Sequence, residues 1–377
     1  MISALHLVAD DLTGALDSAA AFARPAMPVA VSWAPSSGVA ASLSAYSTET
    51  RDCTADIAIS RTLAAADIAR ERLDHPLLFK KLDSLLRGHP VLELATFAEK
   101  MGCDRVVLAP AHPSLGRITR EGWQHARDLH GRFGRIPIDL AGELQAVGFE
   151  TRCGDAVAEK PTIVLADAET DTDLQTLVVR ERDRGGRILW CGSGGLAQAL
   201  AGTSHWLPAP AGRVLAIIGT DHRVTHDQIE AIALRDSTAV LTWTDGDDPA
   251  TVADRINHRL ESGTMAVIAP NLAPRSRSEA TRAIATMLTP VLSHVVKPNA
   301  LFCSGGETLR TVCNALGAEA LMCEGFVSGG VPLSRLRGGR WSGIAVMSKS
   351  GAFGSSNTLV DVLMRGMSDA DLSTIIQ

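Results

Sequence analysis

Aromatic residues are scarce in this chain: phenylalanine, tryptophan and tyrosine together make up 4% of its 377 residues. Rings on which nucleic acid bases could stack are therefore few. A basic tract is also missing, and the formal net charge is −6 at pH 7. Because nucleic-acid-binding proteins usually carry a basic patch or stripe on one face, we expect no nucleic acid partner.

Long apolar runs are absent as well. No run reaches the roughly 18 apolar residues that indicate a membrane-spanning helix. The first residues, MISALHLVADD, contain two aspartates by position 11 and no basic region, so they do not resemble a signal peptide. We expect a cytoplasmic protein with no membrane partner.

Paired cysteines with metal-ligand spacing are also lacking. The seven cysteines include no CxxC pair, and their number is odd. This pattern predicts free thiols in a reducing compartment rather than a disulfide framework or a zinc site. His222 and His226 have the spacing of metal ligands on a helix, but the run DHRVTH lacks the glutamate of the HExxH motif. No metal site formed by the protein is predicted.

What the chain has in quantity is short apolar runs that alternate with longer amphipathic stretches. Continuous apolar strands separated by helices are typical of parallel sheets covered on both faces. The predicted strands are residues 5–9, 28–33, 76–82, 105–110, 162–167, 187–192, 214–219, 238–243, 265–270, 299–305 and 343–348. The run 54–73 predicts an amphipathic helix whose apolar face holds Ile57, Ala58, Leu63, Ala66, Ile68 and Leu73.

The length of the chain predicts two domains, since 377 residues exceed what one ordinary core supports. The stretch AGTSHWLPAPAG (201–212), rich in Pro, Ala, Gly and Ser, lies between a predicted helix and a new strand. We therefore predict an α/β fold with domains at residues 1–210 and 211–377. Each is expected to be a largely parallel sheet flanked by helices.

The run KKLDSLLRG (80–88) concentrates Lys80, Lys81 and Arg87 around Asp83. It fits a solvated strand end followed by a helix start, with Asp83 or Ser84 as the N-cap. It also fits a pocket for an anionic molecule, with a carboxylate that can accept a proton. The stretch alone does not distinguish these two interpretations.

Glycine-rich turns follow several predicted strands, which is where open α/β sheets bind ligands. In WCGSGGLAQAL (190–200), Gly192, Gly194 and Ala197 match a loose dinucleotide fingerprint. The ribose-binding acid expected about 20 residues later is missing. The turn therefore fits either NAD binding or close packing of a helix on a strand.

Two turns in the second half of the chain suit a nucleotide. In LFCSGGETLRTVCNAL (301–316), two glycines precede a helix start, whose exposed N–H groups and positive dipole end attract anions. The segment IAVMSKSGAFG (344–354) predicts a cationic loop after a strand. It is not a P-loop, because Ser348 stands where that motif requires glycine.

Taken together, blocks distributed in order along nearly the whole chain resemble the four-carbon acid sugar kinase family. These are ATP-dependent enzymes that act on threonate, erythronate and oxo-tetronate type substrates. The blocks are VADDLTGALDSAAAFA (8–23), TETRD (48–52), KKLDSLLRGHPVLEL (80–94), LAPAHPSLGRITREGW (108–123), GTDHRVTHDQ (219–228), SGGETLR (304–310) and KSGAFG (349–354). The chain departs from the family pattern at Thr50, Leu85 and His222.

The resemblance implies a kinase that phosphorylates a hydroxyl, expected to be the terminal one, of a four-carbon sugar acid in carbohydrate acid catabolism. It implies that the N-terminal domain binds the sugar acid, that the C-terminal domain binds ATP with Mg²⁺, and that the active site lies in the cleft between them. The implied substrate-binding residues are Asp10, Asp11, Thr13, Gly14, Arg51, Lys80, Lys81, Asp83, Ser84, Arg87 and Arg117. The implied nucleotide-binding residues are Thr220, His222, Gly305, Gly306, Glu307, Thr308, Lys349 and Gly351. A homodimer is compatible with the sequence.

Two aspartates are candidates for the catalytic base, since transfer to an alcohol needs a carboxylate that accepts or orients the hydroxyl proton. Asp11 precedes a predicted helix start, where backbone N–H groups can keep a carboxylate ionised. The cations around Asp83 should lower its pKa and make it a weaker base but a good hydroxyl anchor. We favour Asp11 as the base and Asp83 as the anchor, and the choice stays open. Arg51 suits bidentate binding of the substrate carboxylate.

Two other functions stay open at this point. One is an NAD-dependent dehydrogenase of a hydroxy acid that uses Gly192, Gly194 and Ala197. The other is a two-domain protein that binds an acid sugar without catalysis. Stabilisation by ATP with Mg²⁺ but not by NAD would exclude the first, and ATP turnover would exclude the second.

Overall fold

The computed structural model of the protein describes residues 2–34, 41–71, 76–128, 130–151, 162–263, 265–273 and 275–364. The chain divides into two units. Unit 1 comprises Met1–Ala23 and Val29–Ser204, and unit 2 comprises Arg24–Pro28 and His205–Gln377. Each unit is an α/β structure built on a mostly parallel sheet, which confirms the predicted fold class.

Unit 1 contains a parallel sheet in the order β2-β3-β1-β4-β10-β5-β9 and an antiparallel sheet in the order β6-β7-β8. Its strands are β1 (Leu5–Ala9), β2 (Val29–Ser32), β3 (Leu43–Ser47), β4 (Leu77–Lys81), β5 (Arg105–Ala109), β6 (Arg117–Arg120), β7 (Trp123–Arg127), β8 (Phe133–Arg135), β9 (Thr162–Leu165) and β10 (Ile188–Gly192). Its helices are α1 (Leu12–Phe22), α2 (Ala55–Glu71), α3 (Pro90–Met101), α4 (Leu140–Ala146), α5 (Asp171–Asp183) and α6 (Gly194–Ala201).

Unit 2 contains a mixed sheet in the order β12-β13-β11-β14-β17-β16-β15. The first five of these strands are parallel, whereas β16 runs antiparallel to both β17 and β15. The strands are β11 (Val214–Ile218), β12 (Val240–Trp243), β13 (Met265–Pro270), β14 (Ala300–Ser304), β15 (Ala320–Ser328), β16 (Val331–Arg337) and β17 (Ala345–Lys349). The helices are α7 (Arg223–Ala233), α8 (Pro249–Ser262), α9 (Arg277–His294), α10 (Gly306–Ala315) and α11 (Thr358–Leu363).

Every predicted strand overlaps a strand of the structure, whereas β3, β6, β7, β8, β15 and β16 were not predicted. The predicted apolar face of α2 is right at Ala58 and Ala66 and wrong at Ile57 and Leu63. The helix buries Ala58, Thr62, Ala65, Ala66 and Ala69 and leaves Ile57 and Leu63 exposed, because small side chains allow it to pack closely on α3. Leu73 lies outside the described residues.

The turn after β10 shows why its glycines are needed. A Cβ on Gly192 would overlap the carbonyl oxygen of Ala109 on the neighbouring strand β5. Ser193 caps α6, since its hydroxyl accepts from the Gly195 N–H and donates to the Ala111 carbonyl. Close packing therefore explains the glycines of the loose dinucleotide fingerprint.

Candidate active site

The ends of β1, β4 and β10 bring most of the predicted acceptor residues to one edge of the unit 1 sheet. β4 lies between the other two strands, with Lys81 opposite Ala9 on one side and Gly192 on the other. The residues that follow β1, β4 and β10 therefore begin side by side at this edge of the sheet. A small pocket at this edge is lined by Asp10, Lys80, Lys81, Leu82, Asp83, Arg87, His89, Pro90 and Glu93.

Arg51 joins the two aspartates that follow β1. Its Nε and Nη2 donate to the two carboxylate oxygens of Asp10 at 2.7 and 2.8 Å. The same Nη2 lies 2.7 Å from Asp11 Oδ1. The backbone N–H of Arg51 also reaches the Asp10 carbonyl, which fixes the start of the guanidinium arm. Two of the three guanidinium nitrogens of Arg51 are thus occupied by the protein's own carboxylates.

Asp11 is held by the beginning of α1, for which it is the N-cap. Its Oδ1 accepts from the Gly14 N–H at 2.9 Å and its Oδ2 accepts from the Thr13 hydroxyl at 2.6 Å. Burial works to raise the pKa of Asp11, but Arg51, Lys81 and these hydrogen bonds outweigh it, and the pKa is lowered. For Asp10 burial dominates, and its pKa is raised. The predicted environment of Asp11, with a backbone N–H keeping it ionised, is present.

Lys80 and Lys81 have different partners although they are adjacent. Lys80 Nζ lies 2.6 Å from Glu93 Oε2 in α3, and both side chains are almost fully buried. Burial opposes the charged form of Lys80, but Glu93 outweighs it and raises the pKa. Glu93 also accepts from the Thr50 hydroxyl at 2.7 Å. The charge of Lys80 is therefore neutralised inside unit 1.

Lys81 keeps its charge available. Its side chain is 5% exposed, and its Nζ donates to the Leu82 carbonyl at 2.8 Å. Within the residues that the structure describes, no carboxylate pairs with it. Its Nζ is 3.2 Å from the point where a Cβ on Gly14 would stand, and Asp11 Oδ1 is 2.5 Å from that point. The absence of a side chain at Gly14 thus leaves room between the ammonium group and the carboxylate.

Asp83 is bound by Arg87 within the loop that follows β4. Arg87 Nε and Nη2 donate to the two oxygens of Asp83 at 2.7 and 3.0 Å, and the Arg87 N–H adds a third contact at 3.2 Å. Leu86 adopts a φ of 58°, in the left-handed region, which folds the loop so that Arg87 faces Asp83. Burial would raise the pKa of Asp83, but Arg87 and Arg51 reverse its effect and lower the pKa strongly, as predicted.

Ser84 and Arg117 lie near this loop but contribute mainly backbone contacts. The Ser84 carbonyl accepts from Gln124 Nε2 on β7 at 2.9 Å. Arg117 Nη1 donates to the Leu115 carbonyl at 2.9 Å, and Arg117 pairs with no carboxylate of the described chain. Burial lowers the pKa of Arg117, and Asp83 acts against this effect.

Besides His89 and Glu93 of the pocket lining, the ionisable residues His112 and Asp17 at this edge were not predicted. His112 follows β5 and is 4% exposed, and Asp17 is a half-buried residue of α1. Both lie close to Gly194, where a Cβ would overlap Asp17 Oδ2 and lie 3.0 Å from His112 Cε1. Only the position of His112 in the block LAPAHPSLGRITREGW offered a signal for it.

In unit 2, the ends of β11, β14 and β17 bring the predicted nucleotide residues together. Ile218, Ser304 and Lys349 lie side by side in the register of these strands. Gly305 follows with a φ of 102° as the N-cap of α10, and no side chain caps that helix. The first N–H groups of α10 are therefore available to an anion.

Thr220 and Thr308 fill the space beside two further glycines, Gly351 and Gly219. A Cβ on Gly351 would overlap Thr220 Oγ1, and a Cβ on Gly219 would overlap Thr308 Oγ1. Glu307 pairs with Arg310 Nη2 at 2.5 Å, which compensates its negative charge at the helix start. His222 caps α7, because its Nδ1 accepts from the Val224 N–H at 3.2 Å.

Lys349 points into unit 2 rather than toward solvent. Its side chain is 1% exposed, and its Nζ donates to Thr225 Oγ1 and to the carbonyls of Ser350 and Gly351 at 3.1–3.3 Å. Gln228 holds the same loop through the carbonyls of Phe353 and Ser355. Burial lowers the pKa of Lys349 to about 8. These contacts fix the loop that follows β17 onto α7.

Within the described residues no disulfide is formed by the cysteines, which are Cys53, Cys103, Cys191, Cys303, Cys313 and Cys323. Cys153 lies outside the described residues. In the same part of the chain, no group of three or more His, Cys, Asp and Glu residues is arranged to hold a metal ion. None of the helices within the described ranges has the length and apolar character needed to cross a membrane.

Comparison with known families gives two matches that follow the two units. The family described as a sugar-binding N-terminal domain matches residues 5–132. The family described as a nucleotide-binding C-terminal domain matches residues 215–359. The first match includes the ends of β1 and β4, and the second includes the ends of β11, β14 and β17.

Curated relatives match over nearly the full length of the chain. A D-threonate kinase of Bordetella bronchiseptica is 31% identical over 94% of this chain and 96% of the relative. A D-erythronate kinase of Heliobacterium modesticaldum is 26% identical over 98% and 99%. A 3-oxo-tetronate kinase of Pseudomonas fluorescens is 26% identical over 93% and 94%.

Solved structures share the fold. A protein of Salmonella typhimurium LT2 superposes with a TM-score of 0.73 at 19% identity and covers 94% of this chain and 98% of the other. A protein of Haemophilus influenzae gives a TM-score of 0.67 at 17% identity over 96% and 98%. At these identities the likeness establishes the fold alone.

Proposed function

The chain belongs to the four-carbon acid sugar kinase family and is a phosphotransferase, and from this we propose that it transfers a phosphoryl group from ATP to a hydroxyl of a four-carbon sugar acid. The terminal hydroxyl is the proposed acceptor. Threonate, erythronate and 3-oxo-tetronate, the acids in the names of its relatives, are the first substrates to test.

One observation carries the acceptor side of this proposal: Lys81 is a buried ammonium group beside Asp11 without a carboxylate partner in the described chain. Asp10, Asp11, Asp17 and Asp83 act on it electrostatically. None of them forms an ion pair with its Nζ within the described residues, so its N–H groups can bind an anionic substrate. We assign the substrate carboxylate to Lys81, with Arg51 contributing Nη1, the one nitrogen of its guanidinium that binds neither Asp10 nor Asp11. Unit 1 is thus the proposed acid-sugar domain.

The acceptor hydroxyl is assigned to the space between Asp11 and Asp83. Asp11 is the proposed base, because Arg51 and the start of α1 keep it ionised while its side chain retains 17% exposure. Asp83 is the proposed anchor, since Arg87 holds both of its oxygens and lowers its basicity. A base in this position takes the hydroxyl proton as the oxygen attacks the terminal phosphorus atom of ATP.

Unit 2 is the proposed nucleotide domain. The uncapped start of α10 and the loop after β17 present backbone N–H groups beside Thr220 and Thr308, which suits phosphate binding. The proposed nucleotide substrate is the complex of ATP with Mg²⁺. The role of Mg²⁺ would be to neutralise charge on the phosphate oxygens during transfer.

The test is an assay of ADP release from ATP and Mg²⁺ across C4 and branched sugar acids. We expect ADP release that depends on the acid, with product phosphorylated once. The control without acid measures background ATP hydrolysis. Stabilisation by NAD but not by ATP in thermal unfolding would favour a dehydrogenase instead, and binding of a sugar acid without any ADP release would exclude a kinase.

A further inference from the structure

His112 is a buried imidazole that the proposed reaction does not use. It is 4% exposed, and no hydrogen-bond partner of its ring is found among the described residues. Its backbone is fixed, since its N–H and carbonyl both bond to Arg117. Burial, together with the positive charges of Lys81 and Arg117, lowers the pKa of the ring to about 3. The ring is therefore neutral near pH 7 and has one donor and one acceptor nitrogen to offer.

Asp17 shares this position from the other side. It lies on the same helix as Gly14 and one turn further along, so both face the edge where α1 packs on α6. Gly194 at the start of α6 lets both Asp17 and His112 approach its Cα, because a Cβ there would overlap Asp17 Oδ2 and lie 3.0 Å from His112 Cε1. In the described chain no hydrogen bond satisfies the Asp17 carboxylate. Burial raises the pKa of Asp17, and the opposing effect of Lys81 does not cancel this rise.

We propose that Asp17 and His112 bind a secondary hydroxyl of the acceptor, the one next to its carboxylate, and thereby determine which sugar acids are phosphorylated. This inference rests on the proposed function. A hydroxyl can donate one hydrogen bond and accept others, so it matches a carboxylate on one side and a neutral imidazole on the other. Lys81 lies opposite Gly192 in the register of β4 and β10, and Gly194 follows two residues later, which puts the proposed carboxylate site at the same edge of the sheet.

This arrangement is selective because each of its polar groups lacks a partner of its own. A substrate without the hydroxyl would leave the His112 imidazole and the half-buried Asp17 carboxylate without a hydrogen-bond partner from the substrate or from the described chain. A site that binds a substrate hydroxyl rejects analogues that lack it, because its polar groups are then left unpaired. Asp11 and Asp83, the residues proposed for the chemistry, take no part in this discrimination.

The experiment compares the preferred C4 acid with two analogues. One is 3,4-dihydroxybutanoate, which lacks the hydroxyl next to the carboxylate, and the other is 2,4-dihydroxybutanoate, which retains it. We expect the wild-type protein to prefer the full acid over the first analogue by roughly 10- to 100-fold in kcat/KM. His112→Phe should lose most of that preference while changing kcat/KM for the first analogue less than about threefold. Asp17→Asn should lose part of the preference for the full acid. His112→Asn should keep more of that preference than His112→Phe does.

A control separates binding of the hydroxyl from a structural role. His125→Phe removes an imidazole of β7 whose ring contacts the Trp123 carbonyl, and it should leave the preference unchanged. If His112→Phe lowers kcat/KM for all three acids by one common factor, His112 is only structural and the inference is wrong.

Calorimetric titration of the same acids without nucleotide measures the preference independently of turnover. A wild-type protein that shows the preference in binding, and loses it in His112→Phe, supports the inference even if no acid gives ADP release. Absence of ADP release would then count against the kinase proposal alone. Turnover with an unchanged preference in the variants would overturn the inference alone.

Discussion

Lys80 and Lys81 are neighbours in β4, yet Lys80 Nζ is bound to the Glu93 carboxylate at 2.6 Å while Lys81 Nζ binds only the Leu82 carbonyl among the described residues. Successive side chains of a strand point to opposite faces. One lysine therefore stabilises the packing of α3 on the sheet, and the other supplies a positive charge at the proposed acceptor site.

The first prediction separates the two lysines. Lys81→Met should raise the KM for the sugar acid by about 30- to 4,000-fold, which corresponds to the 2–5 kcal/mol typical of a lost buried charge pair. The melting temperature should fall less than in Lys80→Met, because Lys81 forms no ion pair within the described residues and only favours the charged forms of nearby carboxylates such as Asp11 and Asp17. Steady-state kinetics and thermal unfolding of the same preparation check both expectations.

Lys80→Met should have the opposite effect. It leaves Glu93 charged and unpaired in the interior, which typically costs about 3–5 kcal/mol. The double variant Lys80→Met/Glu93→Gln should recover part of this loss in chemical denaturation. Equal stability of the single variant and the wild-type protein would contradict the assigned roles.

The second prediction concerns the catalytic base. Asp11→Asn should lower kcat by about 10²–10⁴-fold with a modest change in KM, since a general base acts in the transition state. Asp83→Asn should raise the KM for the sugar acid at least as much as it lowers kcat. Both variants are measured at saturating ATP, and the reverse pattern would transfer the role of base to Asp83.

The third prediction tests the nucleotide turn. Gly305→Ala places a Cβ at a φ of 102°, a conformation that costs an L-residue about 1–3 kcal/mol. The start of α10 should shift, so the KM for ATP should rise about tenfold or more while binding of the sugar acid stays unchanged. Gly246→Ala is the matched control, since a Cβ there meets no atom within 4 Å. A loss that falls on sugar-acid binding would reverse the assignment of the two units.

The fourth prediction is a pH dependence that originates at Lys349. Below its pKa of about 8 the ammonium group can donate to all three oxygens around it, whereas above that pH the neutral amine has only two N–H groups. The KM for ATP should therefore rise as the pH increases through about 8. Lys349→Met should show the higher KM at every pH.

Lys349 affects the stability of the folded protein in the opposite direction, so unfolding would not explain the expected rise in the KM for ATP. The pKa of Lys349 is lower in the folded protein than its ordinary value of 10.5, so the folded state binds fewer protons between about pH 8 and 10.5. The contribution of Lys349 to stability improves with pH across that window. The prediction would be contradicted if the KM for ATP rose while the wild-type protein, but not Lys349→Met, lost stability between about pH 8 and 10.5.

The sequence predicted the strands of both units well because continuous apolar runs are buried on both faces of a parallel sheet. It missed β15 and β16, whose runs contain charged residues such as Glu324 and Arg335, and these two form an ion pair between the strands. The face of α2 was predicted only in part, because close packing selected alanine over larger side chains such as Ile57 and Leu63.

For the site, the motifs predicted which residues meet but not how they pair. The proximity of Asp10, Asp11 and Lys81 follows from strand order, which sequence blocks reflect. The pairing of Lys80 with Glu93 depends on the docking of α3, and the position of Asp17 depends on the docking of α1 against α6. Such contacts between elements distant in sequence leave no local pattern that could have predicted them.

The antiparallel order of β15, β16 and β17 has a consequence for the way unit 2 folds. These strands follow one another along the chain, so their pairing closes only short loops, whereas β11 must find β14 across the intervening helices and strands. Loop closure is less costly for local pairs, and local topology speeds folding. We expect the amides of Ala320–Arg337 to gain protection first in pulsed hydrogen exchange during refolding. The strand ends proposed to bind ATP would assemble last, so nucleotide should slow unfolding of unit 2 without accelerating its earliest step.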